Sequence, residues 1–151
     1  MPSSLFNFTI LCAMTGLAMA GCANTPMSSS SNQHRVIVHA VSAQGVGPAI
    51  GNIHFKDTPA GLVINTNLSD LPPGPHGFHI HEKCSCDPAE KDGKMGAAIA
   101  AGGHFNPNQA PHHGTPTTGH LGDLPILNVD AQGHAQTSLI APRLTLADIH
   151  G

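Results

Sequence analysis

Short stretches of alternating apolar and polar residues, separated by glycine and proline, are the feature of this chain that most constrains its fold. Such stretches lie at residues 35–41, 50–56, 62–68, 77–82, 126–129 and 135–140. Alternation with a period of two residues is typical of strands that bury one face. Several short strands with turn residues between them favour a β-sandwich or a β-barrel. We therefore expect an all-β fold.

The connections between these stretches carry signals of their own. Residues 44–48 predict a turn, residues 72–75 predict a rigid proline-rich connection, and residues 130–134 predict the turn of a β-hairpin. Residues 83–124 show no strand pattern, and only residues 97–101 suggest a single weak helical turn. A loop of this length in a compact domain is usually either functional or disordered.

The histidines of this chain are placed where metal ligands would be useful. His79 and His81 are two residues apart on an expected strand, so their side chains point to the same face. Four further candidate ligands lie in the long loop: His104, His113, His120 and Asp123. Imidazole and carboxylate ligands without thiolate suit zinc or copper(II). The four loop residues would make a closed zinc site. His104 could also share a second metal with the strand pair through its other ring nitrogen.

Other histidines have simpler interpretations. A lone histidine on a strand is usually a surface or packing residue, which is the interpretation for His34, His39, His54 and His134. His112 and His113 are chemically equivalent candidates, and only the Gly-Thr-Pro that follows favours His113. Asp123 could merely cap a turn, although its position close behind His120 favours a ligand role.

The composition bounds the size of the protein and its partners. The chain has 151 residues, which suggests one domain, and a formal net charge of −3. No basic surface for nucleic acid is therefore expected. Because Trp and Tyr are absent, the core must be built from Val, Ile, Leu and Ala.

The first residues of the chain resemble an export signal. Residues 1–21 form an uncharged, largely apolar run that suits a secretory signal, although no basic residue precedes it. The sequence Met-Ala-Gly-Cys at residues 19–22 resembles the bacterial lipoprotein cleavage box. That resemblance implies cleavage before Cys22 and attachment of lipid to it, which would anchor the product to a membrane. The alternative is ordinary cleavage near Ala20 to give a soluble periplasmic protein. Residues 22–33 are rich in serine and predict a flexible tether.

Two cysteines remain for the folded part, Cys84 and Cys86. Residues this close together cannot easily reach disulfide geometry. The part of the chain beyond residue 33 offers neither of them a distant partner.

Four linked motifs together resemble the copper/zinc superoxide dismutase family, most closely its bacterial periplasmic type. They are Gly-Phe-His-Ile-His at 77–81, Gly-Gly-His-Phe-Asn-Pro at 102–107, His-Gly-Thr-Pro at 113–116 and Gly-His-Leu-Gly-Asp-Leu at 119–124. The resemblance runs from about Arg35 to the last residue. It implies a Greek-key β-sandwich or flattened barrel of immunoglobulin-like type, and this family is itself one of those grouped under the sandwich architecture.

The resemblance also implies roles for individual residues. His79, His81 and His104 would bind copper, while His104, His113, His120 and Asp123 would bind zinc. His104 would bridge the two metals and carry a proton during the dismutation of superoxide to O₂ and H₂O₂. His76 would support the copper ligands through hydrogen bonding. Cys86 stands where the family places half of a disulfide, and Cys84 replaces a usual Gly or Pro.

The end of the chain departs from the family pattern. The sequence stops at Gly151, where the family continues with a fourth copper histidine, the second cysteine, an active-site arginine and the final strands. We therefore expect residues 34–151 to form an incomplete domain in the bacterial periplasm, with a homodimer as one candidate assembly. The alternatives are an envelope protein that binds zinc and copper without useful turnover, or a gene fragment.

Overall fold

The computed structural model describes residues 33–149. In this part the strands are β1 (Gln33–Ser42), β2 (Gly45–Thr58), β3 (Gly61–Leu68), β4 (Gly74–His76), β5 (Ala89–Lys91), β6 (Lys94–Gly96), β7 (Leu127–Val129) and β8 (Ala135–Ala141). A 3₁₀ turn at Ile99–Ala101 and a short helix α1 at Leu146–Ile149 complete the secondary structure of these residues. The all-β prediction is therefore confirmed.

The main sheet has four antiparallel strands in the order β1-β2-β3-β8. Its inner face alternates as the sequence predicts, because Leu62, Ile64 and Leu68 of β3 are buried. Leu127 and Val129 of β7, which pairs with β4 in a separate ladder, belong to the same apolar core. The core therefore fills the space between two layers, as in a β-sandwich.

The pairing of β3 with β8 joins segments that are far apart in the sequence. Thr66 lies buried in this pair, and its hydroxyl donates to Ala135 O at 2.9 Å while accepting from the N–H of Thr137 at 3.2 Å. Because the buried hydroxyl is satisfied by the partner strand, it fixes the register as well as filling space.

The turn predicted at residues 44–48 is present but shorter and earlier in the chain, at residues 43–44. β2 begins at Gly45, and Val46 pairs with Val41 of β1. The register of this pair shifts between Val38 and His39 and again between His39 and Val41. Such irregularities accommodate a proline within a strand, so Pro48 does not end β2.

The β-hairpin predicted around residues 130–134 is wrong, although the turn itself is present. The N–H of Asp130 donates to His134 O at 2.8 Å, which closes the turn. The strands on either side then separate, because β7 pairs with β4 and β8 pairs with β3. The turn therefore connects the two layers rather than two neighbours in one sheet.

Two expectations for the middle of the chain need correction. Residues 77–82 are extended but form only isolated bridges rather than a regular strand. The segment 83–124, expected to lack strands, contains the small β5–β6 hairpin. The single helical turn expected at 97–101 is present at Ile99–Ala101.

The structure places a limit on the N-terminal predictions. The signal sequence, Cys22 and all of the tether except Gln33 lie outside the described residues. Within residues 33–149 no helix has the length and apolar character needed to cross a membrane.

Candidate metal centre

The extended segment at 77–82 lies between two parts of the long loop. The N–H of Ile80 donates to Gly122 O at 2.9 Å, and Ile80 O accepts from the N–H of Phe105 at 2.8 Å. The same crossing pairs His79 with Asp123 and His81 with His104. Backbone hydrogen bonds thus bring candidate ligands from three segments to one place.

Two glycines are required for this close approach. A Cβ on Gly122 would collide with Ile80 O and lie 3.0 Å from the N of Phe105. Gly119 has φ +69, and a Cβ there would collide with the backbone of Gly114. A side chain at either position would push the loop segments apart.

Four side chains converge on one point of the loop: His104, His113, His120 and Asp123. Their ligand atoms all lie within 4.8 Å of one another. Asp123 is 3% exposed, whereas His113 is 72% exposed, so the site opens to solvent on the His113 side. Three imidazoles and one carboxylate are the ligand types that zinc accepts in tetrahedral sites.

Asp123 directs its two carboxylate oxygens in different directions. Oδ2 accepts the N–H of Gly114 at 2.7 Å and the N–H of His120 at 3.0 Å. Oδ1 lies 2.9 Å from His104 Nδ1. Burial alone would raise the pKa of this carboxyl, but the hydrogen bonds from Gly114, His104 and His120 outweigh it and the pKa lies below its ordinary value. The carboxylate is therefore ionised, as a metal ligand must be.

The ring nitrogens at this point cannot all be satisfied by protein groups. His104 Nδ1 lies 3.1 Å from His113 Nδ1 and 2.9 Å from Asp123 Oδ1. His104 Nδ1 can carry only one hydrogen, so it cannot make a good hydrogen bond to both neighbours at once. His120 Nδ1 is buried and has no hydrogen-bond partner. A cation among these atoms would satisfy all of them, so the donor set fits a metal ion.

His79 and His81 lie at the edge of this group. Their ring centroids are 3.8 Å and 5.5 Å from that of His104, with His79 stacked on its ring and His81 edge-on to it. His81 Nδ1 lies 3.1 Å from Gly102 O, which leaves Nε2 as the acceptor nitrogen. Burial lowers the pKa of His79, and the nearby His104 adds to the effect, so the neutral form that binds metals is favoured.

The remaining predicted residues lie outside the cluster. His76 Nε2 lies 2.7 Å from Pro72 O, so this hydrogen bond holds the proline-rich connection. His112 is exposed and does not belong to the converging group. The same is true of four surface histidines, His34, His39, His54 and His134. Cys84 and Cys86 are exposed free thiols.

The sequence reasoning missed two residues that organise the loop. The carboxylate of Glu82 accepts the N–H of Gly103 at 3.1 Å, directly before His104. Arg143 donates to four carbonyl oxygens between residues 116 and 120. Adjacency to the His-X-His motif could have indicated Glu82, but Arg143 carries no local signal because its partners are more than twenty residues away.

The fold and the site together define a class: a β-sandwich protein whose long loop forms a histidine-rich site that could hold a metal ion. The sequence model of the family described as copper/zinc superoxide dismutase (SODC) matches residues 49–151. The chain is 50% identical over 115 residues to the superoxide dismutase [Cu-Zn] of Escherichia coli K12, which covers 76% of this chain and 66% of that protein. It is 46% identical over 139 residues to superoxide dismutase [Cu-Zn] 2 of Salmonella typhimurium, covering 91% and 76%.

Solved structures agree with the sequence relatives. The Cu/Zn superoxide dismutase from Brucella abortus superposes with a TM-score of 0.76 at 42% identity, covering 78% of this chain and 77% of that one. The monomeric enzyme from Salmonella enterica gives 0.69 at 47% identity, with the same coverage. The chain therefore belongs to the copper/zinc superoxide dismutase family. It spans about two thirds of the length of the E. coli relative.

Proposed function

We propose that this protein is a superoxide dismutase that disproportionates superoxide to O₂ and H₂O₂. The observation that carries the proposal is the position of His104. Its Nδ1 faces Asp123 and His113, while its ring stacks on His79 and stands edge-on to His81. His104 therefore contacts both groups of candidate ligands, as a residue shared between two metals would.

The two groups would take different metals. Zinc would be held by His104, His113, His120 and Asp123, whose ligand atoms already converge. Copper would be held by His79, His81 and His104, with imidazole ligands of the type that copper(II) prefers. When bound, copper would supply the one-electron chemistry that allows one superoxide to be oxidised and another to be reduced.

The protein's own residues would orient the metal ligands and supply the proton for the product. Asp123, fixed through Oδ2 by two backbone N–H groups, keeps Nδ1 of His104 turned toward the zinc side. The second nitrogen of His104, Nε2, would then hold or release the proton that peroxide formation needs. Gly102 O fixes the ring of His81 through its Nδ1. His76, through Pro72, would support the segment that precedes the pair.

We also propose that the protein acts in the bacterial cell envelope. The apolar run at residues 1–21 and the cleavage box at 19–22 support export to the periplasm, with lipid on Cys22 holding the protein at the membrane. Superoxide would be its small-molecule substrate. A homodimer remains part of the proposal.

A second function is a zinc-binding protein with weak copper affinity and no useful turnover. The observation that favours it is the difference between the two groups. The four zinc candidates converge within 4.8 Å, whereas His79 and His81 do not belong to that group.

The test is metal content and superoxide dismutation, measured on the same sample of the full chain loaded with copper and zinc. We expect equimolar copper and zinc with dismutation well above that of free copper. His81→Ala should lose copper and activity but keep zinc, while His54→Ala, on the exposed face of β2, should behave as wild type. Zinc alone, or both metals without turnover above free copper, would overturn the enzymatic proposal in favour of the binding protein.

A further inference from the structure

Arg143 lies where the chain leaves the main sheet, two residues after β8 ends at Ala141. Its backbone is held firmly, because Leu144 is 1% exposed and its N–H donates to Ala141 O at 3.2 Å. Leu146, at the start of α1, is also buried in the core. The side chain of Arg143 therefore extends from a rigid base.

Within residues 33–149, every hydrogen bond of the Arg143 guanidinium group goes to a backbone oxygen of one short loop. Nε donates to Pro116 O at 2.9 Å, and Nη1 donates to Gly119 O at 3.3 Å. Nη2 donates both to Thr118 O at 2.7 Å and to His120 O at 2.8 Å. Four of the five N–H groups that an arginine offers are used in this way.

The four carbonyl groups need a cation of this shape. Carbonyl oxygens that converge on one point repel each other unless a positive group lies between them. A planar guanidinium can reach several of them at fixed angles, whereas a lysine ammonium offers its donors from one atom. Arg143 therefore specifies the path of residues 116–120.

This loop connects two of the candidate zinc ligands. His113 precedes it and His120 ends it. At His120 the backbone is held from both sides, since its O accepts from Arg143 and its N–H donates to Asp123 Oδ2 at 3.0 Å. The buried Nδ1 of His120 is thus fixed among the other ligand atoms by two contacts to its own backbone.

We propose that Arg143 is a positioning residue for the metal centre: it preorganises residues 116–120 so that His113 and His120 meet Asp123 before any ion is bound. This inference rests on one part of the proposed function, namely that His104, His113, His120 and Asp123 bind zinc. Without Arg143 the loop would have to be ordered by the metal itself, so part of the binding free energy would be spent on ordering. Outer residues that orient metal ligands typically change affinity by about 10- to 100-fold when replaced.

The experiment measures zinc affinity of the full chain by competition with a chromogenic chelator, under reducing conditions. Wild type is compared with Arg143→Met, Arg143→Lys and Arg35→Met, the last an arginine on the exposed face of β1. Asp123→Asn gives the background from thiols and other histidines. We expect about 10- to 100-fold weaker binding in Arg143→Met, a smaller loss in Arg143→Lys, and no change in Arg35→Met.

Two further readouts separate positioning from general stability. Cobalt(II) in place of zinc should show a weaker and shifted visible spectrum in Arg143→Met. Amide hydrogen exchange of the apoprotein should be faster at residues 116–120 while the main sheet stays protected. Zinc affinity within about twofold of wild type, with faster exchange or a lower melting temperature, would overturn the proposal.

The outcomes also distinguish this inference from the proposed function. If wild type binds no zinc beyond the Asp123→Asn background, both fall together. If wild type binds zinc and both Arg143 variants bind it equally well, only the role of Arg143 falls. Should Arg143→Met fail to fold, Arg143→Lys decides, because it keeps the charge and the aliphatic stem.

Discussion

At the scale of single residues, Asp123 shows how one side chain can both build a loop and serve a metal. One oxygen is committed to the backbone N–H groups of Gly114 and His120, and the other faces the imidazoles. The carboxylate is buried at 3% exposure, so its charge needs a partner at close range. A bound cation would supply that partner.

The first prediction is that Asp123→Asn abolishes specific zinc binding while the fold persists. An amide can still accept the two backbone N–H groups through its oxygen, but its NH₂ then faces the imidazole nitrogens and carries no charge. The loss should exceed the roughly 10- to 100-fold effect of outer residues, because a ligand itself is removed. Zinc competition titration and circular dichroism measure the two effects.

Asp92→Asn is the matched control for this change. Asp92 is exposed, with φ 55, in the turn between β5 and β6, where asparagine is equally well tolerated. Its zinc affinity should equal that of wild type. Retention of zinc by Asp123→Asn at wild-type affinity would mean that the carboxylate is not a ligand.

Ligand types could be predicted at this scale, but their supporting residues could not. His79 and His81 share a face because of their spacing, and the loop ligands stand in motifs. Their roles as copper and zinc ligands stay predictions. The role of Arg143 could not be predicted because its four acceptors are backbone carbonyl oxygens, which every residue carries and which therefore leave no signal in the sequence.

At the scale of elements, the crossing of residues 77–82 with the long loop holds the candidate ligands together. Ile80 hydrogen bonds on one side to Gly122 and on the other to Phe105. Each of these contacts lies next to a candidate ligand. The geometry of the crossing therefore sets the separation between the two proposed metal sites.

The second prediction is that Gly122→Ala destabilises the protein by about 1–3 kcal/mol, the usual effect of overpacking. The new methyl group would collide with Ile80 O and press on Phe105. Gly103→Ala, in the same crossing, is the control, because its Cβ would meet nothing closer than 3.6 Å. Urea unfolding of the two variants should separate them clearly, and equal midpoints would contradict the steric argument.

The third prediction concerns the turn between β7 and β8. The pKa of Asp130 lies below its ordinary value because the N–H of His134 donates to its carboxylate, with Gln132 contributing and burial opposing. A folded-state pKa below the unfolded one, about 3.9, means that the ionised form stabilises the fold above that pH. This contribution is lost as the pH falls through the folded-state pKa.

Asp130→Asn keeps the hydrogen-bond acceptor and removes the charge, so it isolates the ionised form. The difference in unfolding midpoint between wild type and Asp130→Asn should be largest above about pH 5 and shrink as the pH falls through the folded-state pKa of Asp130. Urea unfolding across this range measures it. A difference that does not change with pH would show that the charge contributes nothing.

Elements with clear alternation were predictable, and those decided by distant contacts were not. β3 follows its pattern from Gly61 to Leu68 because Leu62 and Ile64 must be buried. The turn at Asp130 was recognised, but nothing local indicates that β7 and β8 enter different layers. Strand β2 passes through Pro48 because its pairing with β1 is irregular there.

At the scale of the whole molecule, a metal that binds only the folded state should raise the stability of the entire domain. Zinc at 100 times its dissociation constant would add about 2.7 kcal/mol. For a domain of this size that is a rise of roughly 8–13 °C in melting temperature. This is the fourth prediction, measured by differential scanning calorimetry with and without zinc.

Magnesium at the same concentration should leave the melting temperature unchanged, because imidazole ligands suit zinc far better. A chelator should return the zinc-loaded protein to its starting value. If Asp123→Asn shows the same rise with zinc as wild type, the stabilising ion binds somewhere other than the loop.

The pairing of β3 with β8 has a consequence for the order of events after synthesis. Its partners lie about seventy residues apart, as Thr66 and Ala135 show, and every candidate ligand lies between them in the sequence. Arg143 follows β8, so it reaches its loop only once that strand has docked. Closing so long a loop is slow compared with local turns. We expect the empty sandwich to form first, so that the ions enter only after the slow docking of β8 is complete.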